Sequence, residues 1–372
     1  MPRRRFPVSL TMIVRDEARV LARCLESVKG LVDEIVVVDT GSSDDTVAIA
    51  ESYGATVHHF TWIDDFSAAR NHALAHATHP WRLVLDADEW IVDRDAATTL
   101  FDRIGSLTPD FAGGIDMLQL DESGALIDGV VPQSLIRLLP RQLSYVGRIH
   151  EQPFPEIRAV RLHLTVGHSG YTPSAMARKE GRNVEILVSE LEADPENAYL
   201  WYQLGNEYVS RDRESDALPY LVQAYNLLHP AQPGAQAPRQ VDWWHRVTMR
   251  LLMALTATGR HDDAVALGEI EALAWPDSPD LHYVLGCAVR AQAVSLRETD
   301  RARADDLMVS ALGLWVHATT LEDQQRYAGI LAGRGTVLAA ERAAQDYAAM
   351  GRDADAEHYR RLALGEPAQQ AV

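Results

Sequence analysis

Cysteine is almost missing from this sequence: Cys24 and Cys287 are the only two among 372 residues. They lie far apart, and Cys24 falls inside the helical apolar pattern of Leu21, Leu25 and Val28. No disulfide framework follows, and both are expected to be buried thiols in a reducing compartment. Long apolar runs are also missing. No stretch reaches the roughly 18 apolar residues that a transmembrane helix needs, so no membrane span is expected. The start, MPRRRFPVSL, is basic, but no apolar h-region follows it. No signal peptide is expected, and the default location is the cytoplasm. Positive charge is short, with 35 Lys+Arg against 53 Asp+Glu and a net charge of -18. That balance argues against a nucleic-acid backbone as partner, yet leaves room for a nucleotide in a local site. Finally, VRDEARV after the first apolar run offers no glycine, where a phosphate-cradling loop would want one. A nucleotidyltransferase is disfavoured on that ground.

What is present reads as two halves. From residue 7 to about 170, short apolar runs alternate with helical patterns. Strands are predicted at 8–14, 33–40, 55–62 and 81–87, and helices at 17–30, 43–54 and 67–78. This order calls for an α/β domain with a mainly parallel sheet and helices on both faces. Ligands of such sheets bind beyond the carboxyl ends of the strands. Three of those ends carry polar clusters: Arg15-Asp16-Glu17, Asp39-Thr40-Gly41-Ser42 and Asp86-Ala87-Asp88. From residue 173 onward the pattern is helical. Residues 197–225 carry Trp201, Leu204, Gly205, Tyr208, Ala217 and Ala224, similar to a tetratricopeptide (TPR) unit. Leu285 and Gly286 repeat the signal more weakly, and 257–273 resembles the second half of another unit. The predicted domains are therefore 1–172 and an all-α, TPR-like 173–372.

The stretch WRLVLDADEW, residues 81–90, asks for a physical reason, because clustered carboxylates repel. On an extended segment, Asp86 and Asp88 would face one spot. A hard divalent cation, Mg²⁺ or Mn²⁺, removes the conflict and bridges to substrate phosphates. The bland alternative is a solvated turn. His72, His76 and His79 stand at helical spacing, and His58-His59 lie on a strand; both sets are read as structural rather than zinc-binding. Trp243-Trp244 cannot both face one core, so one of them is expected to line a groove or an interface, which suggests a homodimer through the helical half.

Together, SLTMIVRDEARVLARCLESVKGLVDEIVVVDTGSSDDT, WIDDFSAARNHAL and LVLDADE resemble the family 2 glycosyltransferases with a GT-A fold. The resemblance extends to the subgroup with C-terminal TPR-like helices, which includes the SunS-type peptide S-glycosyltransferases. It implies a nucleotide-sugar site at Thr11, Val14, Glu17, Asp39 and Arg70, with Asp86 and Ala87 near the ribose or metal. Asp88 would be the direct metal ligand. His168 would complete the metal site or neutralise the leaving diphosphate, and Arg148 would bind phosphate. Uridine diphosphate is the usual leaving group in the family, although no residue here separates uridine from guanosine. For an inverting transfer, Glu151 is the candidate base; otherwise it pairs with Arg148 or Arg137, and a thiol acceptor would need little base help. The loop 121–133 has the composition of a lid.

The implied function is a metal-dependent, inverting transfer of sugar from a nucleotide donor to a peptide or protein acceptor. Two alternatives remain. One is a transferase of lipopolysaccharide core or another surface glycan. The other is a TPR scaffold with a vestigial sugar-nucleotide domain.

Overall fold

A computed structural model describes residues 8–121, 125–126, 133–169, 181–229, 243–321, 331 and 335–365. Most of the lid loop expected at 121–133 lies outside the described residues. The chain divides into two compact units, Met1–Ile186 and Leu187–Val372.

The first unit is built on strands β1 (Val8–Val14), β2 (Glu34–Asp39), β3 (Thr56–His59), β4 (Trp81–Val84), β5 (Glu89–Ile91), β6 (Ala112–Gln119), β7 (Gln133–Pro140) and β10 (Ala159–His168). Their order across one sheet is β3-β2-β1-β4-β7-β6-β10-β5. Strands β3, β2, β1 and β4 run parallel. Strand β7 enters antiparallel between β4 and β6, β10 runs parallel to β6, and β5 closes the edge antiparallel to β10. The sheet is thus the mixed, mainly parallel one of the GT-A fold. A separate hairpin pairs β8 (Ser144–Val146) with β9 (Gln152–Phe154).

Alternation along β1 decides which face each helix covers. Val8, Leu10, Met12 and Val14 pack with Leu21, Cys24, Leu25 and Val28 of α1 (Leu21–Val28). Those four α1 positions follow i, i+3, i+4, i+7, one stripe of a 3.6-residue period. Ala50 of α2 (Thr46–Ser52) and Phe101 of α4 (Arg94–Ile104) join the same core. On the opposite face, Leu74 of α3 (Phe66–His76) packs with Val84, Leu139, Leu143 and Tyr145. Arg82 is buried on this side, where its guanidinium donates to the carbonyls of Leu74, Pro140 and Leu143. Burial holds its pKa down to about 10, and three carbonyls replace its lost water. His58 stacks on His76 with ring centroids 3.6 Å apart, and His72 meets His76 edge-on.

One strand differs from expectation. The fourth ends at Val84 rather than at 87, and residues 87–88 form a turn before β5 begins. The Glu89 amide donates to the Asp86 carbonyl at 3.0 Å, which closes that turn. Extended alternation therefore does not govern Asp86 and Asp88.

Helix α5 (Arg182–Ala193) spans the division between units. The second unit pairs α6 (Ala198–Val209) with α7 (Glu214–Leu228) and α8 (Trp244–Ala257) with α9 (His261–Ala274). It then pairs α10 (Pro279–Leu296) with α11 (Arg301–Ala318) and α12 (Gly335–Ala349) with α13 (Asp353–Ala363). The two Leu-Gly signals mark close helix approach. A Cβ at Gly205 would come within 2.6 Å of Leu221, and one at Gly286 within 2.4 Å of Trp315. Trp244 is buried and Trp243, half-buried, packs on Tyr199 and Tyr202, so both rings meet one core.

A buried polar chain fixes α8 to the start of α10. Ser278, the N-cap of α10, accepts from the Leu281 amide at 3.1 Å, and its hydroxyl lies 2.9 Å from His245 Nε2. The hydroxyl thus donates to an unprotonated ring nitrogen. Burial, reinforced by Arg246, holds the His245 pKa down to about 4. The unfolded chain takes that proton near the ordinary value of 6.5, and the folded one does not until about 4. Stability is therefore full above pH 6.5 and falls as pH drops through that window. The expected loss is about 3 kcal/mol by pH 4. Urea unfolding at pH 7.5 and pH 4.5 measures it, and His245→Gln should remove that share of the pH dependence. An identical pH response in the variant would rule out this assignment.

Candidate active site

Several of the residues singled out by the sequence lie at or just beyond the carboxyl ends of β1, β2 and β4. Asp86, just beyond β4, sits between two arginines. Arg70 Nη2 donates to Oδ1 at 2.9 Å, and Arg137 Nη2 donates to Oδ2 at 3.1 Å. Arg70 comes from α3. Arg137 comes from β7, one step beyond the Leu83–Leu138 register pair. Each arginine holds a second carboxylate: Arg70 Nε donates to Glu151 Oε1, and Arg137 Nη2 to Glu89 Oε1. Glu89 in turn accepts the Asp86 amide through Oε2 at 3.0 Å. The cluster is thus a chain, Glu151–Arg70–Asp86–Arg137–Glu89.

Charge in this chain is balanced against burial. Burial by itself would raise the Asp86 carboxyl, but Arg70 and Arg137 together hold it well below the usual carboxylate range. Glu89 is 1% exposed, and burial pushes it up to about 7 despite the pull of Arg137. Both arginines would be lowered by burial. The carboxylates outweigh this, so each stays firmly charged. Two donor groups have no hydrogen-bond partner among the described residues, Arg70 Nη1 and Arg137 Nε. A buried unpaired guanidinium N–H is costly, and an anionic ligand oxygen would satisfy it.

Asp88 stands apart from this chain, beside His168. The antiparallel register sets His168 opposite Glu89, and the parallel register sets it opposite Gln119. His168 Nε2 lies 3.4 Å from Asp88 Oδ2, and Nδ1 lies 2.7 Å from Gln119 Oε1. In the neutral tautomer whose Nδ1–H donates to the amide oxygen, the Nε2 lone pair turns toward the carboxylate, an arrangement that a cation between them would satisfy. That is the donor set of a metal-binding imidazole oriented by an outer partner. Two cis ligands of an octahedral ion with bonds near 2.1 Å stand about 3 Å apart, close to this spacing. Among the described residues, no three His, Cys, Asp or Glu side chains group as a metal site. The pair would leave most positions to substrate oxygens and water, as Mg²⁺ commonly does. Asp86, with both oxygens on arginines, is not grouped with this pair.

The other expected residues are placed as follows. Thr11 is 1% exposed, and its hydroxyl faces the Leu83 carbonyl at 3.5 Å. Val14 is buried at the end of β1, and Ala87 is buried in the turn. Glu17 donates its amide to Thr46 at 2.8 Å, tying the end of β1 to α2. Asp39 accepts the amides of Gly41 and Ser42, and His59 Nδ1 lies 3.5 Å from Oδ2. Arg148 Nε donates to the Asp64 carbonyl at 3.1 Å, and Glu151 pairs with Arg70 rather than with Arg148 or Arg137. From sequence, Glu89 and Gln119 have no role, and Arg137 enters only as an alternative partner of Glu151. Arg137 carried a signal, a lone charge inside the apolar run LIRLLP. Gln119 carried none.

Comparison with known proteins gives the following. Residues 9–115 match the family model Glycosyl transferase family 2. A TPR repeat-containing protein of Synechococcus elongatus is 36% identical over 243 residues, 60% of this chain and 57% of that one. The SPbeta prophage-derived glycosyltransferase SunS of Bacillus subtilis is 28% identical over 231 residues, 59% of this chain and 53% of that one. The chain therefore spans a little over half the length of these curated relatives. Among solved structures, glucosyl-3-phosphoglycerate synthase from Mycobacterium tuberculosis, in complex with Mn²⁺, UDP and glucosyl-3-phosphoglycerate, aligns with TM-score 0.25 and 19% identity. That alignment covers 30% of this chain and 43% of that chain.

Proposed function

From the premise that the first unit carries a glycosyl transferase family 2 domain, we propose that this glycosyltransferase uses a nucleoside diphosphate sugar, UDP-linked, with a divalent metal ion. The acceptor we propose is a peptide or protein side chain. The observation that carries this reading is the pairing of Asp88 with His168 beside a buried arginine–carboxylate chain. Asp88 and His168 would hold Mg²⁺ or Mn²⁺, and that ion, when bound, neutralises charge on the departing diphosphate. Arg70 Nη1 and Arg137 Nε, buried donors without an acceptor among the described residues, suit an anionic donor. Asp39 and Glu17, at the ends of β2 and β1, belong on the nucleoside side of the site. Stacked helix pairs such as α6–α13 form grooves suited to polypeptide, which supports the proposed acceptor class.

The test is titration calorimetry of UDP with Mn²⁺ and then with EDTA. Binding that requires the metal supports the reading, and UDP-sugars are then screened for hydrolysis. Equal binding with and without metal would remove the metal from the proposal. No binding in either condition would remove UDP.

In the same reading, Glu151 takes the acceptor proton, and Arg70 fixes its orientation. Glu151→Gln keeps an oxygen for Arg70, so the fold is preserved. Turnover should fall by about 10²–10⁴-fold while donor affinity stays unchanged. A full rate in this variant would place the base elsewhere or identify the acceptor as a thiol.

A further inference from the structure

The second unit contains a cleft of about 450 Å³ among α9, α10, α11 and α12, which the chemistry of the first unit leaves unused. Trp315 lies at its base and is 0% exposed, its apolar wall is formed by Ala291 and Val294, and two arginines line it, Arg290 and Arg342. Arg290 lies over the Trp315 ring, 5.9 Å from its centroid. Among the described residues it makes no hydrogen bond or ion pair. Arg342 donates to Gln345 at 3.2 Å. His261, also on the wall, keeps a buried Nδ1 without a partner. Among the described residues, Asp346 is a carboxyl on which both arginines pull. Burial raises its pKa against the pull of both, and its Oδ2 is buried without a hydrogen bond. The cleft thus combines an apolar wall with guanidinium charge that no described carboxylate meets in a direct pair.

The open rim favours a polypeptide over a small molecule. Val294 is 60% exposed, so the apolar wall continues to the open rim instead of closing over its contents. Small-molecule sites normally bury most of their ligand. The volume also suits one bulky side chain with its neighbour. In a chain of net charge -18, a local pair of arginines selects for a carboxylate placed beside that side chain.

We propose that this cleft anchors the acceptor polypeptide by a segment in which a bulky apolar residue adjoins a carboxylate, the apolar group against Ala291 and Val294 and the carboxylate on Arg290 and Arg342. Only the word acceptor rests on the glycosyltransferase reading; the binding itself does not.

The test uses the full chain, in EDTA and without nucleotide. A dye-labelled peptide, Gly-Ser-Phe-Asp-Ser-Gly with blocked ends, is titrated by fluorescence anisotropy against its Asn analogue. Saturable binding of the Asp peptide is expected, with the analogue at least about tenfold weaker, since charged hydrogen bonds are the strong ones. Arg290→Gln and Arg342→Gln should each weaken binding by about tenfold. Val294→Glu, at an exposed position, should abolish binding with circular dichroism and unfolding midpoint unchanged. The proposal is overturned by equal affinity for the two peptides, by wild-type affinity in these variants, or by the absence of saturable binding. Because metal and nucleotide are excluded, such a failure leaves the UDP test untouched. A failed UDP test with successful peptide binding would keep the cleft and take away its link to transfer.

Discussion

Asp88→Ala is expected to reduce turnover on the order of 10³-fold and to remove the metal dependence of nucleotide binding. Asp88 is the carboxylate that approaches His168 Nε2, at 3.4 Å. Without it, the imidazole is left to hold a hard cation for which oxygen ligands are preferred. A graded series sharpens the test. Gln119→Leu removes the group that orients His168 and leaves both ligands present. Metal affinity should then weaken by roughly 10–100-fold, as for outer partners generally. Calorimetry with Mn²⁺ reads both variants, and unfolding midpoints should move little, because Asp88 lies outside the arginine chain. Wild-type, metal-dependent affinity for UDP in Asp88→Ala would sink the assignment of the ion to this pair.

Arg137→Leu should produce the largest loss of stability in the first unit. Arg137 contacts both Asp86 and Glu89, and it is the one arginine or lysine in a direct ion pair with buried Glu89 among the described residues. Removing one side of a buried pair leaves a charge in a low-dielectric site, a penalty of about 3–5 kcal/mol. Glu89 also accepts the Asp86 amide, so the turn that carries Asp88 should loosen and turnover should fall with stability. Urea unfolding followed by fluorescence of Trp81 and Trp90 measures the change. A shift below about 0.5 kcal/mol would show that the arginine chain is not structural. Glu89→Gln is the companion variant. The Glu89 pKa is raised to about 7 in the fold, so its charge opposes stability progressively as pH rises from 4.5 through 7. That part of the pH profile should flatten in the variant.

The two halves of the molecule differ in how openly they declare themselves. The helical half is a sum of local patterns. The Leu-Gly signal at 204–205 and its echo at 285–286 both mark places where one helix must approach the next. What that pattern did not reveal is the cleft, because Arg290, Trp315 and Arg342 come from three helices whose spacing in the chain has no period. The Trp243-Trp244 pair shares one core for a related reason. A helix start can turn both rings inward when a preceding helix offers Tyr199 and Tyr202 as a second wall.

Up to Val84 of the sheet unit, apolar periodicity alone determined the alternating elements, the helix faces and the polar strand ends. These are properties of neighbours in sequence, set by which residues leave water together. Only the tertiary structure decided the partners of each charge. Arg137 reaches Asp86 because β7 inserts antiparallel beside β4, and His168 reaches Asp88 because β10 pairs with the short β5. The turn after Val84 then sends Asp86 to the arginines and Asp88 to the histidine, where an extended strand would have aimed both at one point. Strand order and register fix such pairs across tens of residues, and no local pattern encodes that order.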